Sequence, residues 1–279
     1  MKKILVTTDF SSNSKAGLRF AIQMAMQSEC ELHFFHSYHI MRPTSWSDQA
    51  FLEYENKEKA QILTRLERFV RDVYRSAGAV PGNVSYVAKS SFMTDSNIIQ
   101  YASDNQFDFI CISRRGEGKL KKLFGTNTSN LIINSPVPVI AVPDTYRRSE
   151  ISKILYASDL VNLEQEMRRV IDFAGPLKAE IELLHLNYPL DTVYDSRVIM
   201  NVLDKFPQAN IKYRVENLNQ VRNFIKSLEP EVRKRKPSLL VMFTRKNQGF
   251  FNKLFFSGNS PEYAMKSPVP LLVFNKHAL

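Results

Sequence analysis

Apolar and polar positions follow two alternating periods along this chain. Residues 3–8 are a short apolar run with β-branched side chains, which predicts a strand buried on both faces. Ser11 to Ser14 then offers helix N-caps, and Leu18, Ala21, Ile22 and Ala25 recur at helical spacing. The same alternation predicts strands at 31–37, 84–88, 109–112 and 138–142. Between them it predicts a long polar helix near 49–77, a helix capped by Thr94 or Asp95, and a helix near 126–134. Five further strands follow at 153–158, 181–186, 211–215, 238–243 and 270–274. Strands that alternate with helices imply parallel pairing and right-handed crossovers.

The pattern occurs twice. Lys3-Ile-Leu-Val-Thr-Thr-Asp9 returns as Lys153-Ile-Leu-Tyr-Ala-Ser-Asp159, and Glu31 to His36 returns as Glu180 to His185. Ser135-Pro-Val-Pro-Val139 returns as Ser267-Pro-Val-Pro-Leu271. The offsets of 150, 149 and 132 place the residues lost by the second copy mostly between its second and last strands. The fold class is therefore α/β, with two tandem, doubly wound, open parallel five-stranded sheets of Rossmann-like type. The first domain is assigned to 1–145 and the second, degenerate one to 151–279. The polar stretch Asp144 to Ser152 reads as the linker.

Composition narrows the function classes. At 279 residues and 44% hydrophobic, the chain can bury two ordinary cores. No targeting segment and no bilayer-length apolar run is recognised, so the expectation is a cytoplasmic chain without a membrane partner. Cys30 and Cys111 fall at or in strands and read as reduced core thiols. The net charge of +10 suits anionic partners without choosing among them. Basic residues cluster at Arg114 to Lys122 and at Arg233 to Lys236, and the second cluster reads as a solvated helix end. No basic stripe is interleaved with aromatics, so nucleic acid is not the expected partner.

Two features carry candidate chemistry. Asp9 and Asp159 each follow a buried strand, at the sheet edge where open α/β folds bind ligands; either carboxylate can bond a nucleoside or cap the following helix. After the fourth strand, Ser113-Arg-Arg-Gly-Glu-Gly-Lys-Leu-Lys-Lys-Leu-Phe-Gly-Thr126 combines turn glycines and five cations with a helix start. Such a loop cradles phosphate through free amides and the positive helix end, and Thr126 and Thr128 can add hydroxyls. The same sequence also suits a basic surface loop.

The first strand ending in Thr-Asp-Phe-Ser, the second ending in His, the glycine-rich loop with Gly-Thr and the closing Pro-Val-Pro strand together resemble the universal stress protein family. Both halves share the resemblance, so the chain is similar to a tandem member. The resemblance implies an adenine nucleotide α-hydrolase-like fold whose halves pair through their last strands as an intrachain pseudo-dimer, with a homodimer as a further level. It also implies adenine and ribose beside Asp9 and Ser37, and phosphates on Gly116, Gly125, Thr126 and Thr128. Here Ser113 replaces the motif's leading glycine, and eight rather than nine residues separate Gly116 from Gly125. In the second half Thr244 and Asn247 replace the two glycines, the nine-residue spacing survives, and Ser257 and Gly258 stand in reversed order; Asp159 and Leu186 fill the nucleoside positions.

The remaining constellations are weaker. His33, His36 and His39 cannot converge from one strand, so no metal is expected. Neither a Gly-x-Ser-x-Gly elbow nor a Walker lysine motif occurs. Trp46, with Tyr38, Phe51 and Tyr54, reads as packing of the long helix over the sheet or as a lid. The expected function is non-enzymatic: a stress-response protein with one ATP site in its first half that modulates shape or the binding of a protein partner. A slow ATPase or nucleotidyl-transferring enzyme on the same fold is the first alternative, and a scaffold that binds no nucleotide is the second.

Overall fold

The structure is a computed structural model that describes residues 1–114, 126–187, 196–218, 224–244 and 269–276. The first half runs β1 (Lys2–Thr7), α1 (Lys15–Gln27), β2 (Cys30–Tyr38), α2 (Asp48–Ser76), β3 (Val84–Ser90), α3 (Thr94–Asp104), β4 (Phe109–Arg114), α4 (Thr126–Asn134) and β5 (Val139–Pro143). The second runs β6 (Lys153–Ser158), α5 (Leu163–Ala174), β7 (Glu180–Asn187), α6 (Ser196–Leu203), β8 (Ile211–Asn217), α7 (Phe224–Arg235), β9 (Leu239–Thr244) and β10 (Leu271–Asn275), with a single 3-10 turn closing α5. All ten strands predicted from the apolar runs are present.

The strands form one continuous sheet in the order β3-β2-β1-β4-β5-β10-β9-β6-β7-β8. Within each half every pairing is parallel, and the register repeats: Lys3 lies opposite Glu31 as Lys153 lies opposite Glu180. The halves join where β5 and β10 pair antiparallel, with Ile140 opposite Leu272. Each apolar closing strand thereby has its outer edge covered by the other, which removes an aggregation-prone edge.

Helices cover both faces. Ile4, Val6, Leu18, Ile22, Phe34, Leu66 and Val70 belong to one core, and Leu5, Phe35, Ile98, Ile110 and Leu131 to the other. Both cores cross the seam: Phe109 meets Phe173 edge-on at 5.3 Å. The stretch read as a polar linker is pinned as well. Tyr146 is buried against Phe20, and Gln27 bonds both the amide and the carbonyl of the buried Ile151.

Three local expectations need correction. Met93, not Thr94 or Asp95, is the N-cap of α3, and Asp95 instead accepts a hydrogen bond from Asn130 on α4. Trp46 and Tyr54 do not pack over the sheet. They meet each other at 5.2 Å on a surface, because α2 buries only Leu66, Val70, Val73 and Tyr74, all in its second half. The cations ending α7 are not uniformly solvated. Arg233, Lys234 and Lys236 are exposed, but the Arg235 side chain is 6% exposed and ion-paired to Glu182, Glu216 and Glu231.

Both cysteines are free and buried. Burial pushes the Cys30 and Cys111 thiols up, away from the reactive thiolate. A thiol-specific reagent should therefore leave the native chain almost unlabelled and react with both cysteines on unfolding, with mass spectrometry as the measurement. Rapid labelling of the native chain would contradict this core placement.

Candidate functional site

In each half the strand order reverses direction beside the first strand, at β1/β4 and at β6/β9. This is the point where an open sheet leaves a crevice at its carboxyl edge. In the first half the crevice is a cleft of roughly 350 Å³, within the range of small-ligand sites. Thr7, Thr8 and Asp9 line it from the end of β1, Ser11 and Ser14 from the turn into α1, Ser37 from β2, Ser113 from β4, and Thr128 from α4.

The turn after β1 fixes Asp9. Phe10 stands at φ 62°, a strained region for a bulky residue. The Phe10 amide donates to the Thr8 hydroxyl at 3.1 Å, and the Ser11 amide donates to Asp9 Oδ1 at 2.9 Å. The Phe10 ring packs at 4.3 Å from His36 and 5.6 Å from Phe69 on α2, with the Arg65 guanidinium 4.3 Å from its centre. These contacts hold the reversal that leaves the Asp9 carboxylate at the mouth of the sheet.

The electrostatics suit a ligand with a polar and an anionic end. Burial alone would raise the Asp9 carboxyl, but hydrogen bonds from the Ser11 hydroxyl and amide outweigh it and hold Asp9 below the usual carboxylate range. At neutral pH Asp9 is thus an acceptor for hydroxyl or amine groups. Burial pushes His36 down despite its bond to the Thr8 carbonyl at 2.8 Å. A carbonyl only accepts, so Nδ1 carries the proton and the ring serves as a neutral post under the turn. Thr128 brings the amino end of α4 to the opposite wall, where the helix dipole favours an anion.

Several predicted residues therefore gather in the cleft: Asp9, Ser37, Ser113 and Thr128. Ser37 accepts a hydrogen bond from Asn97 at 2.8 Å and keeps its own proton to donate. Ser113 is not a simple stand-in for a loop glycine. Its hydroxyl accepts from the Gly17 amide at 2.7 Å and donates to the Ser14 carbonyl at 2.8 Å, which ties β4 to the start of α1. Thr126 opens α4, and its side chain lies outside the described atoms. Gly116, Gly125, Asn247, Ser257 and Gly258 also lie outside the described residues.

The three histidines go to different partners. His33 bonds Glu31 and Ser85, each at 2.6 Å, His36 bonds the Thr8 carbonyl, and His39 lies on Phe92 with ring centres 3.6 Å apart.

The second half repeats the turn and surrounds it with different residues. Leu160 stands at φ 64°, its amide bonds the Ser158 hydroxyl, the Val161 amide bonds Asp159, and His185 bonds the Ser158 carbonyl. The strand registers also correct the alignment around Ser113. Ile4 lies opposite Phe109 and Ile154 opposite Leu239, so the counterpart of Ser113 is Phe243 rather than Thr244. Phe243 is buried, stacks on Phe274 at 4.8 Å and meets Tyr156 at 5.6 Å. Leu186, buried, stands where the first half has Ser37.

Sequence reasoning missed Lys276. Its ammonium bonds Asp159 at 2.8 and 2.9 Å and pairs with Glu166 at 2.7 Å. Glu166 also accepts from the Tyr156 hydroxyl, and burial together with this carboxylate pushes the Tyr156 phenol well above its usual range. The offset of the Pro-Val-Pro repeat carried the signal: it sets Lys276 opposite Asp144, a reversal of charge.

Comparison with known proteins agrees with this architecture. The sequence profile of the universal stress protein family matches residues 1–143, just over half of the chain. No curated protein matches the sequence. Among solved structures, a universal stress protein from Archaeoglobus fulgidus DSM 4304 is similar over 98% of this chain and 98% of its own, with a TM-score of 0.71 and 18% identity. A putative universal stress protein from Pseudomonas aeruginosa UCBPP-PA14 covers 99% of this chain and 93% of its own, with a TM-score of 0.59 and 17% identity. At such identities the likeness shows the fold, and it extends over both halves. With its first half matched by the family profile and three hydrogen bonds of the turn after β1 repeated in the second, the chain belongs to the universal stress protein family.

Proposed function

We propose that this stress-family protein binds one adenine nucleotide, ATP in the first instance, in the cleft of its first half, and that the nucleotide tunes the shape the chain presents to a protein partner. The observation that carries the reading is the polarity of the cleft. An ionised carboxylate, Asp9, and a donor hydroxyl, Ser37, stand on the nucleoside side, and the amino end of α4 with Thr128 stands on the phosphate side. The reading is of a binder rather than a catalyst, because the Nδ1 proton of His36, the imidazole under the cleft, is committed to a backbone carbonyl. Two buried free thiols fit work in a reducing compartment such as the cytoplasm.

Isothermal titration calorimetry with ATP tests the reading. One site per chain is expected. Asp9→Ala should weaken binding by at least about tenfold, the worth of a charge-assisted hydrogen bond. Ser37→Leu, which copies the second half's residue, should weaken it by a similar factor while leaving the melting temperature close to that of the parent. An absence of heat at millimolar ATP would reduce the protein to a scaffold.

A further inference from the structure

We infer that the second half carries its own ligand: the ammonium of Lys276, anchored on buried Glu166, occupies Asp159, whereas Asp9, its counterpart in the first half, stays open to a small molecule. The openness of the first half rests on the nucleotide reading above, whereas the latch in the second half stands without it.

The inference starts from matched positions. Asp9 and Asp159 end the same kind of turn, each accepting the amide two residues ahead. In the first half the carboxylate borders a cleft. In the second half both of its oxygens are held by Lys276. Three changes accompany the lysine, and one of them, at the counterpart of Ser113, replaces a residue that lines the first cleft. Lys276 stands for Asp144, Glu166 for Ala16, Tyr156 for Val6 and Phe243 for Ser113. The Glu166 side chain is 1% exposed and that of Lys276 is 5% exposed, while the Asp159 side chain is 55% exposed.

Burial decides the competition for Asp159. Withdrawing the ammonium from this pocket would leave Glu166 unpaired away from water, so the lysine is held beside Asp159 by its buried partner. Asp159 thus meets any ligand with its charge already neutralised by the lysine. The lysine also ties the end of β10, the seam strand, to the turn between β6 and α5.

Hydrogen exchange on the full chain, read at the Ser11 and Val161 amides, tests the latch, because each amide bonds the aspartate of its turn. In the apo protein the Val161 amide should be protected, and Lys276→Met should speed its exchange by on the order of tenfold. The Lys276→Met/Glu166→Gln double variant removes both buried charges and should show the same acceleration even if the single variant folds poorly. Saturating ATP should leave Val161 unchanged and slow Ser11. Unchanged Val161 exchange in the double variant, or protection of Val161 by ATP in the parent, would overturn the latch. Failure of ATP to protect Ser11, with Val161 still released by the variants, would overturn the nucleotide reading and leave the latch standing.

Discussion

Replacing Arg235 by Met should cost the chain about 3–5 kcal/mol, the usual penalty for stranding partners of a buried ion pair. The Arg235 guanidinium gives Nε to Glu182 at 2.7 Å and Nη2 to Glu216 at 2.7 Å, and it pairs with Glu231 one helical turn back. Three carboxylates on β7, β8 and α7 thus converge on one planar cation, so α7 is fastened to the edge of the sheet by charge as well as by Leu228 and Val232. Thermal denaturation at neutral pH should show a fall of about 10 °C for a chain of this size. Arg235→Lys should recover only part of the loss, because a single ammonium lacks the fork that reaches three acceptors. The pH dependence has a definite sign. Burial alone would raise the Glu182 carboxyl, but hydrogen bonds from Lys153 and Arg235 outweigh it and hold it below its usual range. A depressed folded value contributes stability that is complete above the unfolded glutamate value, about 4.3, and is lost as pH falls through the lower folded value. The gap between parent and variant should therefore narrow on acidification. A loss below about 1 kcal/mol at neutral pH would mean that the three pairs are no better than exposed ones.

The case of Arg235 also shows where the sequence stops being informative. Its neighbours Arg233, Lys234 and Lys236 are exposed, and nothing in a run of four cations marks the one that turns inward. That depends on which face of α7 meets β7, a matter of tertiary packing. The inner strands were legible because runs such as Ile4-Leu5-Val6 must be buried on both faces, and a strand inside a sheet covered by helices on both sides allows it. The duplication was legible because identical turns need identical residues: a Thr or Ser hydroxyl, an Asp and a small set of bonds recur at Thr8–Ser11 and Ser158–Val161. The second site was less legible. Motif spacing set Thr244 against Ser113, but strand pairing sets Phe243 there, because register follows the sheet and not the loop that follows it. Lys276 escaped notice for a related reason. Its partners Asp159 and Glu166 lie more than a hundred residues away, and only the crossing of β10 beside β9 brings them together.

Gly17→Val should damage stability and the proposed ligand site together, because at Gly17 the helix that starts the cleft touches the strand that ends it. A Cβ added at Gly17 would stand 3.0 Å from the Ser113 hydroxyl, 3.1 Å from the Ser113 amide nitrogen and 3.3 Å from the Ile112 carbonyl carbon. Two of these three atoms are backbone in a central strand paired on both sides, so the neighbour that gives way is α1. Its displacement breaks the bond from the Gly17 amide to Ser113 and the return bond from Ser113 to the Ser14 carbonyl. Overpacking of this kind costs about 1–3 kcal/mol and each lost hydrogen bond about 1 kcal/mol, so a total near 3 kcal/mol is expected from denaturant unfolding. Gly17→Ala should fall between parent and Val, since its single methyl meets the same three atoms without the two further methyls of valine. The same shift carries Ser11 and Ser14, which line the cleft, away from Thr128 on the facing wall. ATP affinity should then drop by more than about tenfold in the Val variant at temperatures where it remains folded, as displaced donors forfeit most of their bonds. The second half shows how the fold accommodates a large residue here. Its counterpart of Gly17 is the fully buried Met167, and its counterpart of Ser113 is Phe243. A small residue facing a hydroxyl keeps the first crevice open and hydrogen-bonded, whereas a methionine and a phenylalanine make the second part of the core. If Gly17→Val lost stability but kept full ATP affinity, the ligand would have to sit away from the α1–β4 contact, and the placement of nucleotide between Asp9 and Thr128 would fall with it.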